Sequence, residues 1–186
     1  MTLELLKADL QRSPIVRMGD YQYFISPVTD GIPLMRPEIL DEVLAEMARV
    51  GDFNCDLICA PEAMGLPLAA GLSLRLGIPY NVIRKRKYGL PGEVSVHQVT
   101  GYSEKEFYLN GVRKGDRVTL VDDVLSTGGT IRAILSAIRS VGAVLVDVVI
   151  VVEKGESKGR IEKELGVKVK TLVKVDVKDG RLRILS

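Results

Sequence analysis

The apolar residues of this 186-residue chain change their spacing several times along the sequence. Some stretches have the three-to-four spacing of a helix, and others have the short continuous runs of a buried strand. The clearest helix is predicted over 37–50, where Pro37 favours the first turn and Gly51 ends the last one. Its apolar residues at helical spacing are Ile39, Leu40, Val43, Leu44 and Met47.

Farther along the chain, short apolar runs alternate with helical patterns. We predict helices over 65–76 and 130–141, and strands over 56–60, 79–83, 118–121 and 144–152. Such alternation is typical of the α/β class, with a mostly parallel central sheet flanked by helices. The length and the 46% hydrophobic content fit one domain that spans 1–186.

Two segments interrupt this alternation. The insert 84–114 is basic at first, then contains glycine, then alternates in polarity, which predicts a flexible hairpin loop over the edge of the sheet. Near the end, apolar runs over 173–177 and 182–185 flank Asp179-Gly180, a dipeptide that favours a tight hairpin turn.

Charge and cysteine content exclude several classes of protein. The 26 basic and 24 acidic residues nearly cancel, so we expect no nucleic-acid or membrane partner, and any anion site must be local. Cys55 and Cys59 supply too few ligands for zinc, and small buried side chains on a strand are the better interpretation. Without a leader pattern or an apolar run of about 20 residues, the sequence predicts a cytoplasmic protein.

The segment 118–130, VTLVDDVLSTGGT, has the most distinctive chemistry of the chain. An apolar strand ends in Asp122 and Asp123 and passes through a turn rich in hydroxyl groups and glycine into a helix. Glycines allow backbone amides to approach an anion closely, and the helix directs its positive end at the same point. A helix cap alone would favour the same turn residues, but it does not require the two aspartates.

This turn differs from a Walker loop, because Gly129 stands where the Walker lysine is expected. Asp122 and Asp123 follow the strand at its carboxyl end, where open α/β sheets bind ligands. Two adjacent carboxylates suit the two hydroxyls of a ribose ring. A phosphate at the turn and a diol at the aspartates together predict a ribose 5-phosphate site.

Four cations, Arg84 to Lys87, directly follow a predicted strand. They could neutralise a pyrophosphate, or they could form a solvated basic face. A second turn from strand into helix, over 60–65, and a hinge-like segment over 88–92 favour the first interpretation.

The segment 118–130 closely resembles the phosphoribosyl pyrophosphate signature of the type I phosphoribosyltransferases, and this resemblance implies their fold. It implies that Asp122 and Asp123 are the catalytic carboxylates, which bind the ribose 2- and 3-hydroxyls. It also implies that the 5-phosphate binds to the loop residues Ser126, Thr127, Gly128, Gly129 and Thr130.

The turn Glu62-Ala63-Met64-Gly65 is similar to the pyrophosphate loop of the adenine-type branch, with Met64 where an arginine is expected. The resemblance therefore assigns pyrophosphate binding to Ala63, Met64, Arg84, Lys85 and Lys87. It continues through Tyr102 and through 157–160. The turn, the run over 84–93 and the pair His97-Gln98 are most similar to the archaeal hypoxanthine/guanine phosphoribosyltransferases.

The N-terminal aromatic residues resemble the small hood of this family, in which an aromatic ring stacks on the purine. On that basis Tyr23, Phe24 and Ile25 would bind the base, although aromatic residues in a strand are usually core. The family further implies phosphoribosyl pyrophosphate and a purine base as substrates, Mg²⁺ carried mainly by the pyrophosphate, no metal-ligand set in the chain, and a homodimer.

The expected reaction is transfer of the 5-phosphoribosyl group to hypoxanthine or guanine in purine salvage. Adenine as the acceptor is one alternative. A sensor that binds phosphoribosyl pyrophosphate without turnover is another, although about 36 residues before the first clear helix leave little space for a DNA-binding module.

The general base of the reaction is not evident from the sequence. The six-oxopurine enzymes have an aspartate where Ser126 stands, and the adenine enzymes have a glutamate where Gly101 stands. Glu104, Glu106 and His97 are nearby candidates, but each lies on an alternating strand and could equally face solvent.

Overall fold

The computed structural model describes residues 3–19, 21–100, 103–178 and 180–186. Its helices are α1 (Glu4–Leu10), α2 (Pro27–Asp30), α3 (Pro37–Val50), α4 (Gly65–Leu76), α5 (Gly129–Val141) and α6 (Lys158–Leu165). Its strands are β1 (Ile15–Met18), β2 (Tyr21–Phe24), β3 (Leu57–Pro61), β4 (Tyr80–Ile83), β5 (Val94–Thr100), β6 (Ser103–Leu109), β7 (Arg117–Leu125), β8 (Val144–Lys154), β9 (Lys170–Lys178) and β10 (Arg181–Ile184).

The central sheet has the strand order β10-β9-β8-β7-β3-β4. Every neighbouring pair from β9 to β4 is parallel, and only β10 runs antiparallel to its neighbour β9. The α/β class with a mostly parallel central sheet flanked by helices is therefore confirmed. The predicted helix over 37–50 has the bounds of α3, and the strand predicted over 118–121 extends through both aspartates to Leu125.

Successive residues of the central strands face opposite sides of the sheet and pack into two different cores. Val121 and Val149 pack with α1, α3 and α4 on one side. Leu120 and Val148 pack with α5, α6 and the β5–β6 hairpin on the other side. Both faces of the sheet are therefore covered, as a parallel sheet requires.

The N-terminal segment contains a helix that the hydrophobic pattern did not predict. Leu6 and Leu10 of α1 are fully buried, and Glu42 of α3 accepts hydrogen bonds from the backbone amides of Leu5 and Leu6 at 3.2 and 2.8 Å. The expectation of about 36 residues before the first helix was therefore wrong. After α1, the β1–β2 hairpin and α2 form the small hood.

The insert after β4 folds back as the antiparallel β5–β6 hairpin, which is a sheet of its own. Paired backbone hydrogen bonds between Arg84 and Tyr108 connect it to the edge of the central sheet next to β4. The predicted hairpin is thus present. Gly101 and Tyr102 lie outside the described residues, and so do the side chains of His97, Gln98 and Glu104.

The C-terminal hairpin is also present, with Lys178 of β9 opposite Arg181 of β10, while Asp179 lies outside the described residues. Of the two cysteines, only Cys59 lies on the predicted strand, because β3 begins at Leu57. Burial raises the pKa of the Cys59 thiol to about 12, which keeps it unreactive.

Within the described part of the chain, no helix has both the length and the apolar composition needed to cross a bilayer.

Candidate active site

Three strand-to-helix turns lie at the carboxyl edge of the central sheet. β3 leads into the turn 62–64, β7 into the loop 126–128, and β8 into the segment 155–157. Because β3, β7 and β8 are parallel, their carboxyl ends share one edge, and the register places Asp122 beside Ile150. This is the edge where open α/β sheets bind ligands.

Asp122 and Asp123 are partly buried at this edge and interact directly. Oδ1 of Asp122 accepts a hydrogen bond from the backbone N–H of Asp123 at 2.9 Å. Burial and then the adjacent charge of Asp123 raise the pKa of Asp122 well above its usual range, and the positive charge of Lys85 opposes that rise. Burial also raises the pKa of Asp123, so the pair resists carrying two negative charges.

The predicted phosphate loop connects β7 to α5 and lines a cavity of about 130 Å³. Gly128 has a φ of 81°, a left-handed conformation that disfavours a side chain, and α5 begins at the next residue. The cavity lies at the amino-terminal end of α5, where free N–H groups and the helix dipole favour an anion. The loop residues Ser126 to Thr130 and Asp122 all line it.

The turn 62–64 lies beside the acidic pair, at the start of α4. A Cβ atom at Gly65 would lie 3.5 Å from Oδ1 of Asp122, so the backbone here approaches the carboxylate closely. The Met64 side chain lies next to Gly31, which ends α2 of the hood. The structure therefore brings Ala63 and Met64 to the site, and their role in binding pyrophosphate stays a prediction.

The four cations after β4 have different surroundings. Glu62 accepts a hydrogen bond from the backbone N–H of Lys85 at 2.8 Å, and its carboxylate lies 3.4 Å from Nε of Arg84. The Arg84 guanidinium is also 5.7 Å from the centroid of the Tyr88 ring. Arg84 is thus engaged by protein groups, whereas the charge of Lys85 acts on Asp122.

Lys87 belongs to a different local network. Its charge helps to lower the pKa of Glu93, although the hydrogen bond from Asn110 is the larger cause. Glu93 closes the following turn by accepting the N–H groups of Tyr88 and Gly89, each at 2.9 Å. The charge of Lys85 thus acts on Asp122 and that of Lys87 on Glu93, and a role of these cations in binding pyrophosphate stays a prediction.

The predicted base-binding residues differ in exposure. Phe24 is only 3% exposed and packs in the core, and Ile25 is partly buried. The phenol of Tyr23 donates a hydrogen bond to Asp30 at 2.7 Å, and burial together with this bond raises the Tyr23 pKa. A base-binding role for these three residues stays a prediction.

Two further residues connect the hood to the site. Sequence reasoning placed Tyr21 among the aromatic residues of the hood but did not assign Lys154. The hydroxyls of Tyr21 and Ser126 are hydrogen-bonded at 2.9 Å. Lys154, at the end of β8, donates a hydrogen bond to the carbonyl of Gln22, and its Nζ lies 3.6 Å from the centroid of the Tyr21 ring. The position of Lys154 at a strand end was the only sequence signal, because contacts across more than 100 residues leave no local pattern.

Two hydroxyl or carboxyl groups near the site that bear on the general base are engaged in hydrogen bonds. Glu106 accepts a hydrogen bond from the Tyr108 phenol, and the hydroxyl of Ser126 is bonded to Tyr21. Glu104 and His97 have side chains outside the described set.

Comparison with known proteins is consistent with this geometry. The sequence model of the phosphoribosyl transferase domain family matches residues 38–178 of this chain. The chain is 52% identical over 184 residues to the hypoxanthine/guanine phosphoribosyltransferase of Methanocella paludicola, covering 99% of this chain and 96% of that one. It is 53% identical over 182 residues to the enzyme of the same name from Methanothermobacter thermautotrophicus, covering 98% and 94%.

Among solved structures, the adenine phosphoribosyltransferase of Thermoanaerobacter pseudethanolicus superposes with a TM-score of 0.77 at 28% identity. The match covers 93% of this chain and 99% of that one.

Replacing both Asp122 and Asp123 with asparagine should stabilise the fold at neutral pH. The pKa of Asp122 is raised on folding, so its ionisation opposes folding, and the opposition grows as pH rises from about 4 towards the folded pKa. The free energy of unfolding should exceed that of the wild type by roughly 1.4 kcal/mol for each pKa unit removed, with little difference at pH 4. Thermal unfolding between pH 4 and 8 measures this.

The exposed Asp41 of α3 offers a matched control, since Asp41→Asn should change stability by no more than about 0.5 kcal/mol at any of these pH values. A double variant less stable than wild type at pH 8 would contradict the assignment of a buried, repelling pair.

Proposed function

Because this chain belongs to the phosphoribosyl transferase family, we propose that it transfers the 5-phosphoribosyl group of phosphoribosyl pyrophosphate to hypoxanthine or guanine. The products are IMP or GMP and pyrophosphate, so the protein is a purine salvage enzyme. The observation that carries the proposal is the acidic pair at the end of β7, which opens directly onto the phosphate loop at the start of α5. Full-length relatives named for this activity support the choice of base.

In this reaction the bond between the anomeric carbon and the pyrophosphate oxygen breaks, a bond to N9 of the purine forms, and N9 loses its proton. Positive charge grows on the ribose, and negative charge grows on the leaving group. Asp122 and Asp123 would accept hydrogen bonds from the ribose hydroxyls, while the loop 126–130 holds the 5-phosphate. The charge of Lys85 acts on Asp122, and Lys85 would stabilise the departing pyrophosphate.

Mg²⁺ fits this site as a companion of the substrate. Among the described residues, no group of three or more histidine, cysteine, aspartate or glutamate side chains is placed to hold a metal ion. Oxygen donors suit Mg²⁺, and the carboxylates of Asp122 and Asp123 would hold the ion together with pyrophosphate oxygens. When bound, the ion would neutralise charge on the leaving group.

The choice between purines depends on the group at position 6. A 6-oxo group needs a hydrogen-bond donor, and a 6-amino group needs an acceptor. Lys154 places an ammonium group against the hood ring of Tyr21, at the same sheet edge as the phosphate loop. This donor favours hypoxanthine and guanine over adenine, even though the superposed solved structure is an adenine enzyme.

An assay of the wild-type protein with hypoxanthine, guanine, xanthine and adenine should show turnover of the first two and little use of adenine.

Lys154→Met should lower kcat/KM for hypoxanthine by about 10-fold, because a charged hydrogen bond is lost. Lys158→Met is a control at the same edge, since Lys158 contacts Thr171 and Glu153 instead of the hood. Efficient use of adenine by the wild type would contradict the proposed base.

Lys85→Ala should lower kcat/KM for phosphoribosyl pyrophosphate by on the order of 10²-fold, because the lost charge matters most in the transition state. Lys87→Ala, beside Glu93, should lower it much less. Steady-state kinetics with each substrate varied in turn measures both effects. Equal, small effects of the two variants would indicate that the run 84–87 is only a solvated basic face.

The double Asp122→Asn, Asp123→Asn variant should have no measurable transfer activity.

Isothermal titration with phosphoribosyl pyrophosphate and Mg²⁺ separates the enzyme from a sensor. Binding with turnover of hypoxanthine supports the proposal, and binding without turnover of any purine supports the sensor. We also propose that the enzyme acts in the cytoplasm.

We further propose a homodimer, as the family resemblance implies. Leu74 of α4 and Tyr80 of β4 are large apolar residues exposed on the surface, and a second subunit would cover such groups. Sedimentation equilibrium at micromolar concentration should give twice the mass of the chain. A fully active monomer would contradict this.

A further inference from the structure

The phosphate loop is held from the side of α6 as well as by its own turn. Oγ of Ser157, just before α6, donates a hydrogen bond to the carbonyl of Ser126. The Ile161 side chain fills the space next to Gly128, where a Cβ atom would lie 2.3 Å from Cδ1 of Ile161. The loop therefore rests directly on the first turn of α6.

Arg132 of α5 adds a second contact. Its Nη1 donates a hydrogen bond to the carbonyl of Thr127 at 2.8 Å. Its Nε and Nη2 donate to the two oxygens of Glu164 in α6, at 2.7 and 2.8 Å. One guanidinium thus ties α6 to the loop through three bonds in a fixed planar geometry, which a lysine could not reproduce.

Holding these two carbonyls has a direct consequence for the next amides. In a planar trans peptide the C=O and the following N–H point in opposite directions. Fixing the carbonyl of Ser126 therefore directs the N–H of Thr127, and fixing the carbonyl of Thr127 directs the N–H of Gly128. Backbone N–H groups of such a loop are the donors that bind a phosphate.

We propose that Arg132, Glu164 and Ser157 are positioning residues that orient the loop amides towards the 5-phosphate. The inference rests on the proposed function, because it takes the loop to bind the 5-phosphate of the sugar donor. None of the three needs to touch the substrate. Their loss should therefore weaken binding of ligands that carry the 5-phosphate and leave the purine base largely unaffected.

A purely structural ion pair makes a different prediction. Arg132 and Glu164 have side chains that are 29% and 47% exposed, and ion pairs with such exposure usually contribute little to stability. If the pair only fastened α6, its removal would lower the unfolding temperature slightly and would change both substrate constants equally or not at all.

The test measures the dissociation constant of ribose 5-phosphate and the KM values of both substrates for Arg132→Ala, Glu164→Ala and the double variant. We expect Arg132→Ala to raise the ribose 5-phosphate constant and the KM for phosphoribosyl pyrophosphate by about 10-fold or more, with the hypoxanthine KM within about twofold. Glu164→Ala should have a smaller effect of the same kind. The double variant should match Arg132→Ala, because Glu164 acts through the arginine.

Two milder variants keep the proposal testable if Arg132→Ala fails to fold. Glu164→Gln keeps one acceptor and should retain most of the affinity, while Ser157→Ala should weaken ribose 5-phosphate binding on its own. Arg75→Ala, which breaks the Arg75–Asp41 pair between α4 and α3, is the matched control and should leave all constants unchanged.

The outcomes separate this inference from the proposed function. A wild-type protein that binds neither phosphoribosyl pyrophosphate nor ribose 5-phosphate overturns both. A wild-type enzyme that is active, with folded Arg132 and Ser157 variants that keep normal ribose 5-phosphate affinity, overturns the positioning role alone.

Discussion

The repulsion between Asp122 and Asp123 is the constraint on which the rest of the site depends. Burial at the end of the strand raises the cost of ionising both carboxylates, and the charge of Asp123 raises it further for Asp122. The nearby charge of Lys85 opposes the rise at Asp122 only in part. A substrate that brings hydroxyl donors and a cation relieves the repulsion, so binding energy is available at the point of reaction. Because the ionised pair does not stabilise the fold, packing of the surrounding sheet must hold the two carboxylates in place. Its two covered faces, filled by Val121 on one side and Leu120 on the other, supply that rigidity.

The topology brings the remaining groups to this pair from distant parts of the chain. Because β3, β7 and β8 are parallel, the turns that follow them meet at one edge, and each contributes a different kind of group. The turn after β3 brings the backbone at Gly65 close to Asp122, the loop after β7 offers amides, and the end of β8 offers the ammonium of Lys154. The N-terminal hood then closes over this edge through Tyr21. Separate segments can thus serve the sugar, the phosphate and the base.

Elements with strong local signals could be predicted from the sequence, and contacts across the chain could not. Pro37 and Gly51 bound α3 because both act on their own backbone. α1 escaped prediction because seven residues give too few turns for a periodic pattern, and its stability comes from burial of Leu6 and Leu10. The basic run 84–87 was recognised from its local sequence. The ion pair of Arg84 with Glu62, more than 20 residues earlier, could not be recognised in that way. Likewise, α6 was predicted only as a family-like sequence over 157–160, and nothing local indicated its contacts with the phosphate loop.

The hydroxyl at position 126 is consistent with the same charge constraint. The common six-oxopurine enzymes, from which this chain departs here, have an aspartate at this position, which would add a carboxylate to the cavity that Asp122 lines. Asp30 of the hood already contributes negative charge that raises the Asp123 pKa. A neutral Ser126 avoids a further repulsion, and its bond to Tyr21 joins the hood to the phosphate loop. If the chain transfers the phosphoribosyl group as proposed, the charge of Lys85 would neutralise the leaving group on the other side of the anomeric carbon. The charge missing at position 126 and the cation at Lys85 are in this sense two parts of one electrostatic arrangement.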